Sequence, residues 1–240
     1  MKRVFYGIMI LLAGLALAHK PAWALPMTGD LINVKYNSFY GDWVHIDAAW
    51  NGGSFKGTVG TGIYKLTVDG APMDSFCIDL ADLANKKIAP YQVVALQNAA
   101  DPPYGPMGEE KASYVSKLWN MGYDQHMSRE AAAGLQLAIW EVLTEDLYSW
   151  DILNGSFKAK KSGRGTLDFK TIRDHAAKFL DDLVDHPHGT HLVALTHPDH
   201  QDFVVPGHPV NEPSALLLFG AGLLGATLLQ RRRMGLDNHQ

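Results

Sequence analysis

The chain has 240 residues, 47% of them hydrophobic and 19% charged, with a formal net charge of -4. That is chain enough for one compact domain between two terminal segments, and the mild acidity removes any electrostatic reason to expect nucleic acid. The single cysteine excludes an intramolecular disulfide framework.

At the N-terminus, Lys2 and Arg3 precede an apolar run from Val4 to Ala18, and Ala22-Trp23-Ala24 is a small-x-small cleavage pattern. Residues 1–24 therefore read as a secretory signal peptide, with the mature chain starting near Leu25. The competing reading, an uncleaved anchor, asks the apolar run to be longer than it is. A domain over 25–205 is predicted to follow.

From Tyr40 to Leu80 the pattern predicts β structure. Val44, Ile46, Ala48 and Trp50 alternate with His45, Asp47 and Ala49, as in a half-buried strand. Asn51-Gly52-Gly53 is a turn, a short strand through Phe55 and Val59 follows, and Tyr64, Leu66 and Val68 form the next. Asp69-Gly70 predicts a hairpin turn, because both central residues of that turn need positive φ. The returning strand is Met73 to Leu80, with Phe76, Ile78 and Leu80 on one face and Ser75, Cys77 and Asp79 on the other. Asp101 to Pro106 is an irregular loop. Helical spacing then predicts three helices. The first, Glu109 to Asn120, turns Tyr114, Val115 and Leu118 inward. The second spans Ser128 to Asp146, and the third, about Phe169 to Asp185, buries Ile172, Ala176, Phe179, Leu180 and Leu183. Between the second and third, Asn154 to Gly165 reads as a basic, solvated excursion. His191 to Thr196 and Asp202 to Val205 are predicted to be closing strands.

In the second helix Ser128 is an N-cap, Glu130 sits in the first turn, and Leu135, Ala138, Ile139, Val142 and Leu143 mark the face turned to the core. Gln136 is placed at the edge of that face. Burying its amide unpaired costs roughly 1–3 kcal/mol, so it needs partners.

The tail begins with a linker and motif over 206–214, Val210-Asn211-Glu212-Pro213-Ser214 being its end. The apolar Ala215 to Leu229 and then Arg231, Arg232 and Arg233 follow. The arginines fit a positive-inside stop. This order of motif, span and basic cluster resembles the PEP-CTERM sorting signal of Gram-negative bacteria that make extracellular polysaccharide. The resemblance implies recognition by an exosortase, with processing near Glu212-Pro213 and transient membrane anchoring through the transmembrane segment of 215–240. A plain membrane anchor uses the same residues.

A lone thiol in an exported chain is inert, paired with another molecule, or chemically committed. Phe76-Cys77-Ile78-Asp79 and, downstream, Leu135-Gln136-Leu137-Ala138-Ile139-Trp140 resemble the thioester domains of bacterial surface adhesins. Those carry an aromatic-cysteine strand and a Gln-x-Ala-Ile-Trp helix. Leu135 stands where that family commonly has threonine. Asp79 and His126 are supporting candidates that hydrogen-bond or shuttle protons near Cys77 and Gln136, the other reading of each being a surface or structural residue. The resemblance implies a Cys77–Gln136 thioester formed with loss of ammonia, with Ile139 and Trp140 packing around it. It further implies a covalent attachment protein that reacts once with an amine or hydroxyl nucleophile, not an enzyme with turnover, and no cofactor. The other reading of the same residues is a buried, unreacted Cys77 beside a hydrogen-bonded Gln136.

His186, His188, His191, His197, His200 and His208 crowd the C-terminal part of the domain, but their spacing matches no closed zinc motif, and no metal site is assigned. Tyr40, Trp43, Trp50 and Tyr64 are either a sugar-stacking platform or cross-strand pairs. No phosphate loop, Ser-His-Asp order or glycosidase signature stands out. The expected fold is α+β: an antiparallel β barrel or sandwich with a packed helical segment, between signal peptide and sorting helix. The expected protein is an exported adhesin or biofilm matrix component at the cell surface. Its partners are an exosortase and a surface or matrix polymer. The alternatives are a non-covalent matrix-binding or structural protein and a histidine-rich metal binder.

Overall fold

In the computed structural model residues 24–50, 53–101, 105–145 and 150–208 are described. The segment read as a sorting motif with Glu212 and Pro213, the apolar tail with Arg231, Arg232 and Arg233, and residues 1–23 of the expected signal peptide 1–24 lie outside them. Alternation builds the first strand: Val44, Ile46 and Ala48 are buried, while Trp43, His45 and Asp47 between them are partly exposed. That strand, β1, is longer than predicted and spans Leu31–Trp50. β2, Gly53–Val68, runs back along it from Trp50↔Gly53 to Val34↔Val68, so the two strands predicted around Phe55 and Tyr64 are one. Gly41 and Gly62 face each other in this ladder because a Cβ on either would run into the opposite backbone, and Gly62 has φ 142°.

Asp69 (φ 45°) and Gly70 (φ 87°) make the hairpin turn that the Asp-Gly pair predicts. The returning β3, Ala71–Cys77, stops at the cysteine rather than at Leu80. The chain then adds β4 (Ala89–Ala95), for which no strand was predicted, and the two-residue pair β5 (Ala100–Asp101) and β6 (Gly105–Pro106). Helices α1 (Gly108–Gly122) and α2 (Arg129–Thr144) follow, then β7 (Phe157–Lys161), α3 (Phe169–Leu183), β8 (Leu192–His197) and β9 (His200–Pro206). β7 corrects the reading of 154–165 as a solvated excursion. Phe157 and Ala159 are buried between exposed lysines, and the segment pairs with β1 from Ala48↔Phe157 to Val44↔Lys161. Lysines alternating with apolar residues are what an edge strand tolerates.

The sheet order is β2-β3-β9-β8-β4-β1-β7, with β1 also paired to β2. Six strands therefore close a hydrogen-bonded ring in which every pairing is antiparallel. Among the described residues the architecture is α+β: a seven-stranded antiparallel sheet, the small β5–β6 pair and three α-helices.

α2 touches β1 and β2 and also α1 and α3. Residues 132–143 are all buried, which corrects the expectation of a single apolar face with Gln136 at its edge. Gly134 permits this, since a Cβ there would strike His175 and the backbone of Ile172 and Ala176 on α3. The helix starts as predicted: Ser128 Oγ accepts from Ala131 N at 3.1 Å. Arg129 ties that end to β1 by donating Nε and Nη2 to Gly41 O at 3.0 and 2.7 Å. Among the described residues no helix is long and apolar enough to cross a membrane.

Candidate functional site

β3 is joined to β2 by register pairs that end at Tyr64↔Ser75, and to β9 only through Phe76↔Val204 and Cys77↔Phe203. Cys77 thus lies where the ring passes from one partner strand to the next. Ile78 N donates across to Asp202 O at 3.1 Å, and strand alternation turns the Cys77 N–H and C=O to the opposite edge, beyond the end of the β2 ladder. Unpaired there, two buried backbone groups would each cost roughly 1–3 kcal/mol.

Gln136 fills the gap. Cys77 N donates to Gln136 Oε1 at 2.9 Å, and Gln136 Nε2 donates to Cys77 O at 2.8 Å. The side-chain amide takes the place of a neighbouring strand's peptide, and both residues are fully buried. The sequence-predicted pair is therefore brought together by two hydrogen bonds, through the backbone of one residue and the side chain of the other.

The sulfur has its own neighbours. Cys77 Sγ donates to Asp79 O at 2.6 Å and accepts from Asp79 N at 3.4 Å. Gln201 Nε2 donates to it at 2.6 Å and to Asp79 O at 3.2 Å. Burial pushes the Cys77 thiol well above its ordinary range, and the charge of Asp79 adds to that; the Asp79 N–H and the Trp140 indole pull the other way. The Trp140 N–H lies close enough to favour a thiolate but is buried without a hydrogen-bond acceptor. This environment suits a neutral sulfur, a thiol or an acylated one, and opposes a free thiolate.

The supporting residues are placed as follows. Ile139 and Trp140 are buried, Trp140 packing towards Phe157 of β7 with ring centroids 6.5 Å apart. Asp79 is 3% exposed and accepts from Ala81 N at 2.7 Å through Oδ1. Its carboxyl is raised, first by burial and then by the charge of Asp82. His126 is exposed beside Asp124 and makes no contact with the pair among the described residues. Gln201 was not singled out in the sequence. Its signal was weak, a polar residue just outside a predicted strand, and only the β3–β9 pairing brings it to the sulfur.

The other candidates disperse. Among the described residues no group of three or more His, Cys, Asp or Glu side chains is disposed to hold a metal ion. His186 pairs with Asn120 Nδ2 at 3.1 Å, whereas His197 stacks on His200 with centroids 4.2 Å apart. Of the predicted aromatic platform, Tyr64 is buried and donates to Gly60 O at 2.8 Å. Trp43 meets Phe39 edge-on and carries Arg164 over its ring at 3.9 Å. Tyr40 is 39% exposed with the Lys65 ammonium over its ring, 6.0 Å from the centroid, and the Trp50 side chain lies outside the described residues.

No family model matches the chain, nor does any curated protein or solved structure.

Proposed function

We propose that this is an exported, exosortase-sorted surface or matrix protein that attaches itself covalently through an internal thioester between Cys77 and Gln136. The observation that carries the reading is the bidentate pairing of the Gln136 amide with Cys77 in a fully buried junction. Such fixed proximity is what intramolecular acyl transfer needs. In forming the bond, the thiol sulfur joins the Gln136 acyl carbon and the carboxamide nitrogen leaves as ammonia. A primary amine later attacks that carbon, the carbon–sulfur bond breaks, and one amine proton passes to sulfur. The products are an amide on Gln136 and a free Cys77 thiol. A hydroxyl would give an ester by the same course. Because burial disfavours a thiolate here, the proton must reach sulfur as the bond breaks. The protein acts once per molecule.

The terminal sequences supply the rest of the reading. A signal peptide before Leu25 and the Glu212-Pro213 motif with Arg231, Arg232 and Arg233 route the chain through the inner membrane to the surface or matrix of a Gram-negative cell.

The intact mass of the purified full chain, beside its Cys77→Ala variant, tests the covalent reading. The expected result is a deficit of one ammonia in the wild type alone, replaced by one added methylamine after incubation with that amine. A full mass with an alkylatable thiol after unfolding overturns it.

A second reading, a non-covalent matrix protein with a free Cys77, is favoured by the hydrogen bonds themselves. Gln136 is satisfied by backbone, and the thiol by Asp79 O. The same mass measurement separates the two.

A further inference from the structure

β7 lies outside the closed ring and, with the adjoining ends of β1 and β2, forms a three-stranded face in the order β2-β1-β7. Residues directly opposite in antiparallel strands project from the same side of a sheet, so the register fixes the ranks of this face. One rank is Lys56-Asp47-Lys158 and the next is Thr58-His45-Lys160. Two places along β1 from His45, Trp43 carries the Arg164 guanidinium over its ring at 3.9 Å. The other side of the same stretch of β1 holds Val44, Ile46 and Ala48, all buried. Lys56, Lys158, Lys160 and Arg164 are exposed.

Positive charge thus gathers on one side of a chain whose formal net charge is -4. Among the described residues of these ranks Asp47 is the one carboxylate, and it meets Lys56 Nζ at 2.7 Å. That contact, and then the charges of Lys56, Lys158 and Lys160, hold the Asp47 carboxyl below its ordinary range. Lys158 and Lys160 have no ion-pair partner among the described residues. Protection of a sheet edge asks for a lysine on the edge strand. It does not ask for Arg164, from the loop after β7, to close the same side, nor for two lysines to stand without a counter-charge. Charge complementarity asks for a polyanion, and three details select among polyanions. Arg164 occupies the Trp43 face, where a nucleobase would stack. Asp47, set between lysines, opposes closely spaced phosphates and accepts hydrogen bonds from hydroxyls. Apart from Trp43 and Ala49 no apolar residue shares the face, so it has little to bury in a lipid surface.

We propose that this face is a non-covalent docking surface for an acidic polysaccharide, whose uronate carboxylates meet Lys56, Lys158, Lys160 and Arg164 and whose hydroxyls meet Asp47 and Thr58. Successive ranks on one side of a strand stand about 7 Å apart, so a sugar chain laid along β7 passes one lysine and then the next. The ammonium groups act as hydrated point charges that need no single carboxylate geometry, which suits a flexible polymer. The inference does not rest on the acyl-transfer reading: the docking face uses neither Cys77 nor Gln136, and it holds the polymer by charge alone.

The test is a calorimetric titration of the purified full chain with hexagalacturonate and with its methyl ester, the same sugar chain without the charges. The acid is expected to bind saturably and the ester about tenfold more weakly. A Lys158→Gln, Lys160→Gln double variant is expected to lose about tenfold in affinity for the acid, each exposed charge contact being worth up to about fivefold. The matched control is Lys170→Gln with Lys178→Gln, which removes the same charge from exposed positions on α3 and is expected to bind as the wild type does. Both variants change only exposed side chains, and their melting temperatures check that the fold is kept. Equal binding of the ester, an unchanged Lys158/Lys160 variant, an equal loss in the α3 control or no saturable binding overturns the proposal. Tighter binding of oligodeoxythymidylate, or of phosphatidylglycerol vesicles, than of hexagalacturonate overturns it too, and assigns the face to nucleic acid or to lipid.

Discussion

Gln136 and Glu141 lie on the same helix and are both fully buried, but their polar atoms fare differently. Both hydrogen-bonding ends of the Gln136 amide are engaged by Cys77. Glu141 has one oxygen engaged, Oε1 accepting from Asp151 N at 2.6 Å, while Oε2 has no partner among the described residues. The indole nitrogen of Trp150, beyond the end of α2, is likewise buried and unpartnered. A neutral amide offers a donor and an acceptor and can complete a strand edge. A carboxyl in the same depth is stable only when protonated, and burial accordingly pushes Glu141 up to about 8. The first half of the helix is thus specified by complementary hydrogen bonds, and the second half is held at a pH-dependent cost.

The largest effect is expected where that specification is complete. Gln136→Ala strands the Cys77 N–H and C=O and opens a cavity, a loss of roughly 3–6 kcal/mol. Against a typical total of about 5–15 kcal/mol that approaches global unfolding. The urea midpoint of the variant measures it. A loss under about 1 kcal/mol would mean that the amide does not complete the β3 edge.

A smaller, pH-dependent effect distinguishes the other end. Glu141 binds its proton more tightly folded than unfolded, with values of about 8 against 4.5. The folded state therefore holds more protons between these values, and stability falls as pH rises through that window, being fully present below about 4.5. Asp202, raised to about 7, adds a slope of the same sign that ends sooner. Glu141→Gln keeps an acceptor for Asp151 N and removes the titration. Melting temperatures at pH 5, 7 and 8 should fall less steeply in the variant, with the difference persisting between pH 7 and 8. Parallel curves would show that Glu141 is ionised in the fold.

How much of this was legible in the sequence follows from the range of the forces involved. Local signals fared well: the Asp69-Gly70 turn, the Ser128 cap and the three helices depend on neighbours a turn away. The proximity of Cys77 and Gln136 came from a short-motif resemblance, not from periodicity. What stayed hidden was set by distant partners. Lys158, Lys160 and Lys161 look like a solvated loop until β1 supplies the edge they pair with. Gln136 looks like the border of an apolar face until α1 and α3 cover the far side of α2. Gln201 meets the sulfur only through the two register pairs joining β3 to β9, and no pattern within β9 encodes that meeting.

The smallest expected effect tests whether the unpartnered groups near the end of α2 are truly without partners. Trp150 packs edge-on against Tyr114 with centroids 5.2 Å apart, a contact that phenylalanine preserves in kind. Trp150→Phe removes a buried donor that lacks an acceptor and gives up part of the ring's buried area. An unsatisfied polar group costs about 1–3 kcal/mol, and the lost apolar area is worth a comparable amount, so the two nearly cancel. The variant should unfold within about 1 kcal/mol of the wild type. A loss above about 2 kcal/mol would mean that the indole nitrogen does find an acceptor, and that α2 is satisfied at both ends. The contrast between Gln136 and Glu141 would then reduce to the carboxyl alone. Near-neutrality, together with the flattened pH profile of Glu141→Gln, would place the fold's polar economy at the Cys77 junction, where its one cysteine meets its buried glutamine.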